Sequence, residues 1–242
     1  MAKNTVYEFH AELTDSEPLI WRKFRVKKDI TLAKFGYILQ VLFEMQANHL
    51  FQFVEPYQEN FYAHMSQSFP LKEVKKQFPP NKVAERRFYE LQNHLTEDFN
   101  DPNAFNALTT NLSDVFCLPG AKLKMWYDFG DDWFIDIKLV EEIEDSDIPA
   151  GELPQVLEGE GFGILEDCGG VFNLNQAISE KEIVMENMPE VYEAMKLLFA
   201  DFNTDDMNLR LKKLPRIYAN CYVRGTNPSK ASLDFMARKY LK

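Results

Sequence analysis

The run Tyr127-Asp128-Phe129-Gly130-Asp131-Asp132-Trp133 separates two stretches in which apolar and polar residues alternate. Before it, Leu123, Met125 and Tyr127 alternate with Lys122, Lys124 and Trp126; after it, Ile135, Ile137 and Leu139 keep the period. Successive strand side chains point to opposite faces, so the pattern predicts two half-buried strands, Ala121 to Asp128 and Trp133 to Ile143, joined as a hairpin. Gly130-Asp131 suits a tight turn needing positive φ. A hairpin with one apolar face needs a second layer to cover it.

That layer is supplied early in the chain. Val6 to Leu13 and Leu19 to Val26 alternate around the turn Thr14-Asp15-Ser16-Glu17-Pro18, which predicts a first hairpin. Thr31 can cap a helix to about Gln46, whose Leu32, Phe35, Leu39, Leu42 and Phe43 form an apolar stripe. His49 to Val54 then reads as a third strand. The fold class is therefore α+β, an antiparallel β-sheet with a covering helix, followed by a helical C-terminal region. Residues 1–170 form the α+β core, with a variable insertion at about 56–110. Within that insertion Asn60 to Met65 reads as a short strand, and Val83, Arg87, Leu91 and His94 follow helical spacing. Asn111 to Cys117 reads as a helical turn. Residues 171–242 are read as helices packed on the core as one structural unit: one with Ile178, Ile183 and Met185, one opening at Pro189, one with Met207, Leu211 and Leu214, and a terminal helix after Pro228-Ser229.

The net charge of -11 is concentrated. Glu141 to Asp167 holds ten carboxylates and no Lys or Arg, and Glu144 to Gly163 reads as an acidic surface loop. Duplex binding needs cations to displace phosphate counterions, and the short basic stretches Arg22 to Lys28 and Lys72 to Arg87 are interleaved with apolar residues, so composition argues against nucleic acid. No apolar run has the length of a membrane span. Three isolated cysteines without a CxxC pair point to reduced thiols and a cytoplasmic setting.

Five segments in order carry a family resemblance: Pro18-Leu19-Ile20-Trp21-Arg22, Thr31-Leu32, His49-Leu50 with Phe53, Tyr127-Asp128-Phe129-Gly130-Asp131 with Trp133, and Glu166-Asp167-Cys168-Gly169-Gly170. Together they resemble the plasmid pRiA4b ORF-three-like family, which includes passenger proteins of insertion elements. The resemblance spans roughly residues 5 to 55 and 111 to 215. It implies an α+β domain with an antiparallel sheet and no established activity. Family members usually carry histidines where this chain has Phe51 and Ile135, and often prolines where it has Ile164 and Leu165. Were those imidazoles metal ligands or acid-base groups, this copy has lost most of them, which argues against a soft-ligand transition-metal site.

The candidate site joins the hairpin turn to the later Glu-Asp-Cys-Gly-Gly bend. Asp128, Asp131, Asp132, Glu166 and Asp167 could converge, with Asp131, Asp132 and Asp167 as candidate ligands of an Mg²⁺- or Ca²⁺-type cation. The plain alternative is that turn aspartates bond nearby backbone amides. Asp128 at a strand end would be partly covered and need a partner, for which Arg22 is the candidate. Cys168 with His49 as base would make a nucleophile, but neighbouring carboxylates should raise the thiol pKa. Trp133, like Trp21 and Trp126, lines a groove or fills the core. Two functional readings stand: a non-catalytic binding protein whose acidic segment, residues 141 to 167, faces a basic protein partner or a cation, and a metal-assisted enzyme built on the clustered carboxylates.

Overall fold

The computed structural model describes residues 4–99, 101–188, 190 and 195–241. Eight strands form one sheet: β1 (Asn4–Leu13), β2 (Trp21–Lys27), β3 (Phe51–Glu55), β4 (Arg87–Glu90), β5 (Phe105–Asn106), β6 (Lys122–Tyr127), β7 (Trp133–Ser146) and β8 (Gln155–Glu160). Their order is β5-β4-β3-β6-β7-β1-β2-β8. Every neighbouring pair is antiparallel except β4 with β5. The β6–β7 hairpin, paired Tyr127 with Trp133 and Leu123 with Ile137, occupies the middle of the sheet.

Helix α1 (Leu32–Leu42) lies on the apolar face, with the Thr31 side chain accepting from Lys34 N at its N-terminus. It is buried nearly all round, because the sheet covers one side and C-terminal helices the other. Gly36 allows the close approach: a β-carbon there would stand 2.4 Å from the Phe51 ring. Phe9, Phe24, Phe35, Phe53 and Phe116 pack between helix and sheet. The helix stops at Leu42, short of Gln46, and Glu44 turns the chain with φ of 60°. The Glu44 carboxylate, buried, receives Arg210 at 3.2 Å and also pairs with Arg238, which ties the C-terminal region to the end of α1.

Three expectations are corrected, two of them inside the central segment. Residues 60–65 belong to a helix, α2 (Tyr57–Met65), and α3 (Leu71–Gln77) follows. The helical spacing at Val83, Arg87 and Leu91 is coincidental, since Arg87–Glu90 is strand β4 against β3, its Tyr89 hydroxyl donating to Glu55 Oε2 at 2.6 Å. The expected acidic loop is partly sheet: β7 runs to Ser146, and β8 pairs with β2 at the far edge, setting Glu158 opposite Lys23. The short helix α4 (Leu112–Val115) precedes β6.

Beyond β8 come α5 (Val171–Ser179), α6 (Lys181–Asn187), α7 (Thr204–Leu211), α8 (Leu214–Arg224) and α9 (Lys230–Met236). Leu214 opens its own helix, with Pro215 in the first turn, where its missing N–H costs nothing. Helices α7 and α8 lie against α1. The helix expected to open at Pro189 lies outside the described residues. Among the described residues no helix is long and apolar enough to cross a membrane.

Candidate functional site

Three chain segments meet at one end of the sheet, beside the C-terminal end of α1. The first is the turn from α1 into β3, where Ala47 takes φ of 58° and presents His49. The Tyr222 hydroxyl on α8 donates to His49 O at 3.0 Å, and the Tyr127 ring stands edge-on to the imidazole at 5.8 Å.

The second is the β6–β7 turn. Asp128 N donates to Leu50 O at 3.1 Å, and Asp132 N to Asp128 O at 2.8 Å, which closes the bend. Positive φ falls on Asp128 and Asp132, both 55°, and not on Gly130 or Asp131. Aspartate tolerates that conformation because its short side chain bonds locally. Here Asp128 Oδ1 accepts from Gly130 N at 3.0 Å, while Oδ2 is left 3.6 Å from His49 Nε2.

The third is the bend Glu166-Asp167-Cys168-Gly169-Gly170. It meets the hairpin directly: Gly169 N donates to Asp131 Oδ2 at 3.0 Å. A β-carbon at Gly170, where φ is 88°, would lie 2.5 Å from Asp131 O, so only glycine allows this approach. Glu166 Oε1 accepts from the Tyr127 hydroxyl and from Gln46 N, each at 2.7 Å. Its Oε2 is buried without a hydrogen-bond partner and stands 3.7 Å from His49 Nε2. Asp167, at φ of 59°, brings Oδ1 to 3.6 Å from the same nitrogen.

His49 Nε2 therefore has three carboxylate oxygens around it at 3.6–3.7 Å. These are too long for hydrogen bonds. Ligand atoms held about 2.0–2.2 Å from one ion at tetrahedral angles stand roughly 3.3–3.6 Å apart. His49, Asp128 and Asp167 each offer an atom within 4.8 Å of the others, a spacing that can hold a metal ion. Burial raises the Glu166 carboxyl above the usual range, opposed by its bonds from Gln46 and Tyr127 and by His49. Burial, then the Glu166 charge, also raises the Tyr127 hydroxyl, so this group stays a proton donor.

Several expected site residues lie elsewhere or serve differently. Arg22 does not pair with Asp128. Its guanidinium is fully buried and donates to five backbone carbonyls: Leu42, Trp21, Glu160, Gly161 and Phe162, at 2.6–2.9 Å. It stitches β8 and the following loop to α1. Asp132 accepts from Trp126 Nε1 at 2.9 Å and so faces the opposite side of the hairpin, and Asp131 is committed to Gly169 N; the ligand geometry falls on His49, Asp128 and Asp167. Trp133 is fully buried in the core. Cys168 turns its sulfur to Gly170 O at 3.6 Å, and burial, with Asp131 and Asp167 adding to it, raises its thiol away from thiolate. Phe51 and Ile135 are both buried in the apolar core. Tyr127 escaped the sequence reading as a functional group, although a tyrosine on the buried face of a strand needs an acceptor for its hydroxyl.

A protein-family model described as plasmid pRiA4b ORF-3-like protein matches residues 5–211, which includes the central segment 56–110. No curated protein matches the chain. Among solved structures the chain is similar to a protein of unknown function from Methanosarcina mazei Go1, at 19% identity and TM-score 0.56, over 84% of this chain and 93% of that one. At that identity the likeness is one of fold.

Proposed function

Because the chain belongs to the plasmid pRiA4b ORF-3-like protein family, whose description names no reaction, we propose its function from the site itself: it is a non-catalytic binding protein that holds one divalent cation on His49, Asp128 and Asp167, with the Glu166 carboxylate turned toward the same imidazole. The observation that carries this is Glu166 Oε2, a buried acceptor with no hydrogen-bond partner, turned toward an imidazole nitrogen that two further carboxylates approach. A buried polar atom without a partner is costly, and three carboxylates beside one another repel. A cation held by His49, Asp128 and Asp167 beside Glu166 relieves both costs.

The donor set selects the ion. One imidazole with two carboxylates suits a transition ion, Zn²⁺ or Mn²⁺, better than Mg²⁺ or Ca²⁺, which take oxygen alone. Hydrogen bonds hold these groups in place: Tyr127 and Gln46 N fix Glu166, and Gly130 N fixes Asp128. The cation would join the α1–β3 turn, the hairpin and the bend before α5.

A melting scan with Mn²⁺, Zn²⁺, Mg²⁺, Ca²⁺ and EDTA tests this. An ion at about 100 times its Kd adds about 2.7 kcal/mol to the native state. For a chain of this size that is a rise of roughly 5–11 °C. Mn²⁺ or Zn²⁺ should give it, EDTA should reverse it, His49→Ala should abolish it and Glu166→Gln should weaken it. No shift with any of the four ions overturns the proposal.

A further inference from the structure

The turn from α1 into β3 that presents His49 holds left-handed backbone at two residues other than glycine, Glu44 with φ of 60° and Ala47 with φ of 58°. Such backbone persists only where its surroundings fix it, and an alanine has no side-chain bond of its own to help. Two sets of groups fix this turn. The first belongs to the cation site: Gln46 N donates to Glu166 Oε1 at 2.7 Å and Asn48 N to the Tyr127 hydroxyl at 3.3 Å. The second comes from α8. The buried Tyr218 hydroxyl donates to Met45 O and the half-buried Tyr222 hydroxyl to His49 O, both at 3.0 Å. These tyrosines are four residues apart, so they leave one face of the helix together. Their acceptors bracket Ala47, in a turn to which α8 adds no cation ligand.

The docking of α8 on α1 carries a cost. Tyr37 and Gln40, three residues apart on α1, share a face, and the Tyr37 ring stands 6.4 Å from the Tyr222 ring. Both residues are buried, and the Tyr37 hydroxyl and both amide atoms of Gln40 have no hydrogen-bond partner among the described residues. Buried polar atoms left unpaired oppose the packing that buries them. The bonds from Tyr218 and Tyr222 to the turn are among the contacts that offset this, so the hold of α8 depends on where the turn places its carbonyls.

From this placement we infer that α8 completes the cation site: the Tyr218 and Tyr222 hydroxyls are positioning groups that fix the His49 turn, so cation binding and α8 docking favour each other. This rests on the cation proposed above. Neither hydroxyl touches the ion; each acts through the backbone. Without them Ala47 can relax from its left-handed conformation, and the imidazole two residues later leaves its place beside Asp128 and Asp167. In the other direction, an ion that fixes His49 holds still the two carbonyls that α8 meets. A coupling of this kind is reciprocal by thermodynamic necessity.

The full-length protein is titrated with Zn²⁺ and with Mn²⁺ by calorimetry. Tyr222→Phe keeps its ring against Tyr37 and removes only the hydroxyl; it should weaken binding about 3–10-fold, the worth of one hydrogen bond. Tyr218→Phe should act in the same direction and decides the matter if the first variant does not fold, which circular dichroism reports. The control is Tyr62→Phe on α2, whose hydroxyl also donates to a backbone carbonyl, Phe78 O at 2.7 Å. Helix α2 is anchored at the opposite end of β6, where Asn60 bonds Lys122, so this change should leave affinity as it was. Hydrogen exchange reads the reverse direction: with either ion, residues 214–224 should exchange more slowly by at least about threefold, and residues 57–65 should not. A wild-type protein that binds neither ion overturns the cation site and this inference with it. If the wild type binds, three results leave the cation site standing and overturn the inference alone: unchanged affinity in the folded tyrosine variant, an equal loss in Tyr62→Phe, or equal slowing of exchange in both helices.

Discussion

The Tyr127 hydroxyl donates to Glu166 Oε1 at 2.7 Å, across 39 positions of sequence. That bond joins the last residue of β6 to the bend before α5, and it leaves the second Glu166 oxygen aimed at His49. The cation site depends on this division of labour, one oxygen structural and the other open.

Glu166 should make the metal-free protein less stable as pH rises. Its folded carboxyl is raised by burial, so between the ordinary carboxylate range and the raised folded value the native state holds more protons than the unfolded one. Stability therefore falls through that window as pH increases. Glu166→Gln should flatten this slope and, above the window, raise the melting temperature by a few degrees, about 1 kcal/mol being worth 2–4 °C. Melts in EDTA from pH 4 to pH 8 check it; an unchanged slope in the variant contradicts it.

Arg22→Met should be severely destabilising. The change leaves five carbonyls to find other donors in a buried setting, and the expected loss is about 3–5 kcal/mol by urea unfolding. A loss under about 1 kcal/mol would show that water or rearranged backbone satisfies them.

Gly170→Ala should separate the two bends. The added methyl meets Asp131 O and the residue must hold φ of 88°, which together should cost about 2–4 kcal/mol. Because the bend carries Glu166 and Asp167, the melting shift with Mn²⁺ or Zn²⁺ should vanish as well. A destabilised protein that keeps the full shift would mean that the ion sits elsewhere.

Tyr127→Phe should act on affinity more than on fold. The ring stays packed, but Glu166 Oε1 loses one of its two donors and the carboxylate is free to rotate. Cation affinity should drop about 10–100-fold, the usual range for loss of a hydrogen bond that orients the groups around a metal. Isothermal titration would show it, and unchanged affinity would remove Tyr127 from the site.

What the sequence disclosed follows from period. The β6–β7 hairpin and Thr31 at the head of α1 announce themselves through alternation and capping chemistry, and the structure has both. Strand β4 does not, because four residues are too few to display a period of two and happen to fall within a helical spacing. Helix α8 was hidden by Pro215, which reads as a break unless it stands in a first turn. At the site, that turn carboxylates cluster was legible, whereas their direction was not. Left-handed backbone at Asp128, Asp132 and Asp167 decides which oxygens face inward, and sequence carries little sign of it where the residue is not glycine. So Asp132 turned to an indole, Asp131 to a backbone amide, and His49 with Asp128 took the place expected for them.

The most direct test is a crystal grown with Mn²⁺ or Zn²⁺ and measured at the metal's absorption edge. One anomalous peak per chain is expected, about 2.0–2.3 Å from His49 Nε2, Asp128 Oδ2 and Asp167 Oδ1, with Glu166 Oε2 turned toward it. Ordered water alone at that position, with Glu166 Oε2 still lacking any partner but solvent, would contradict it.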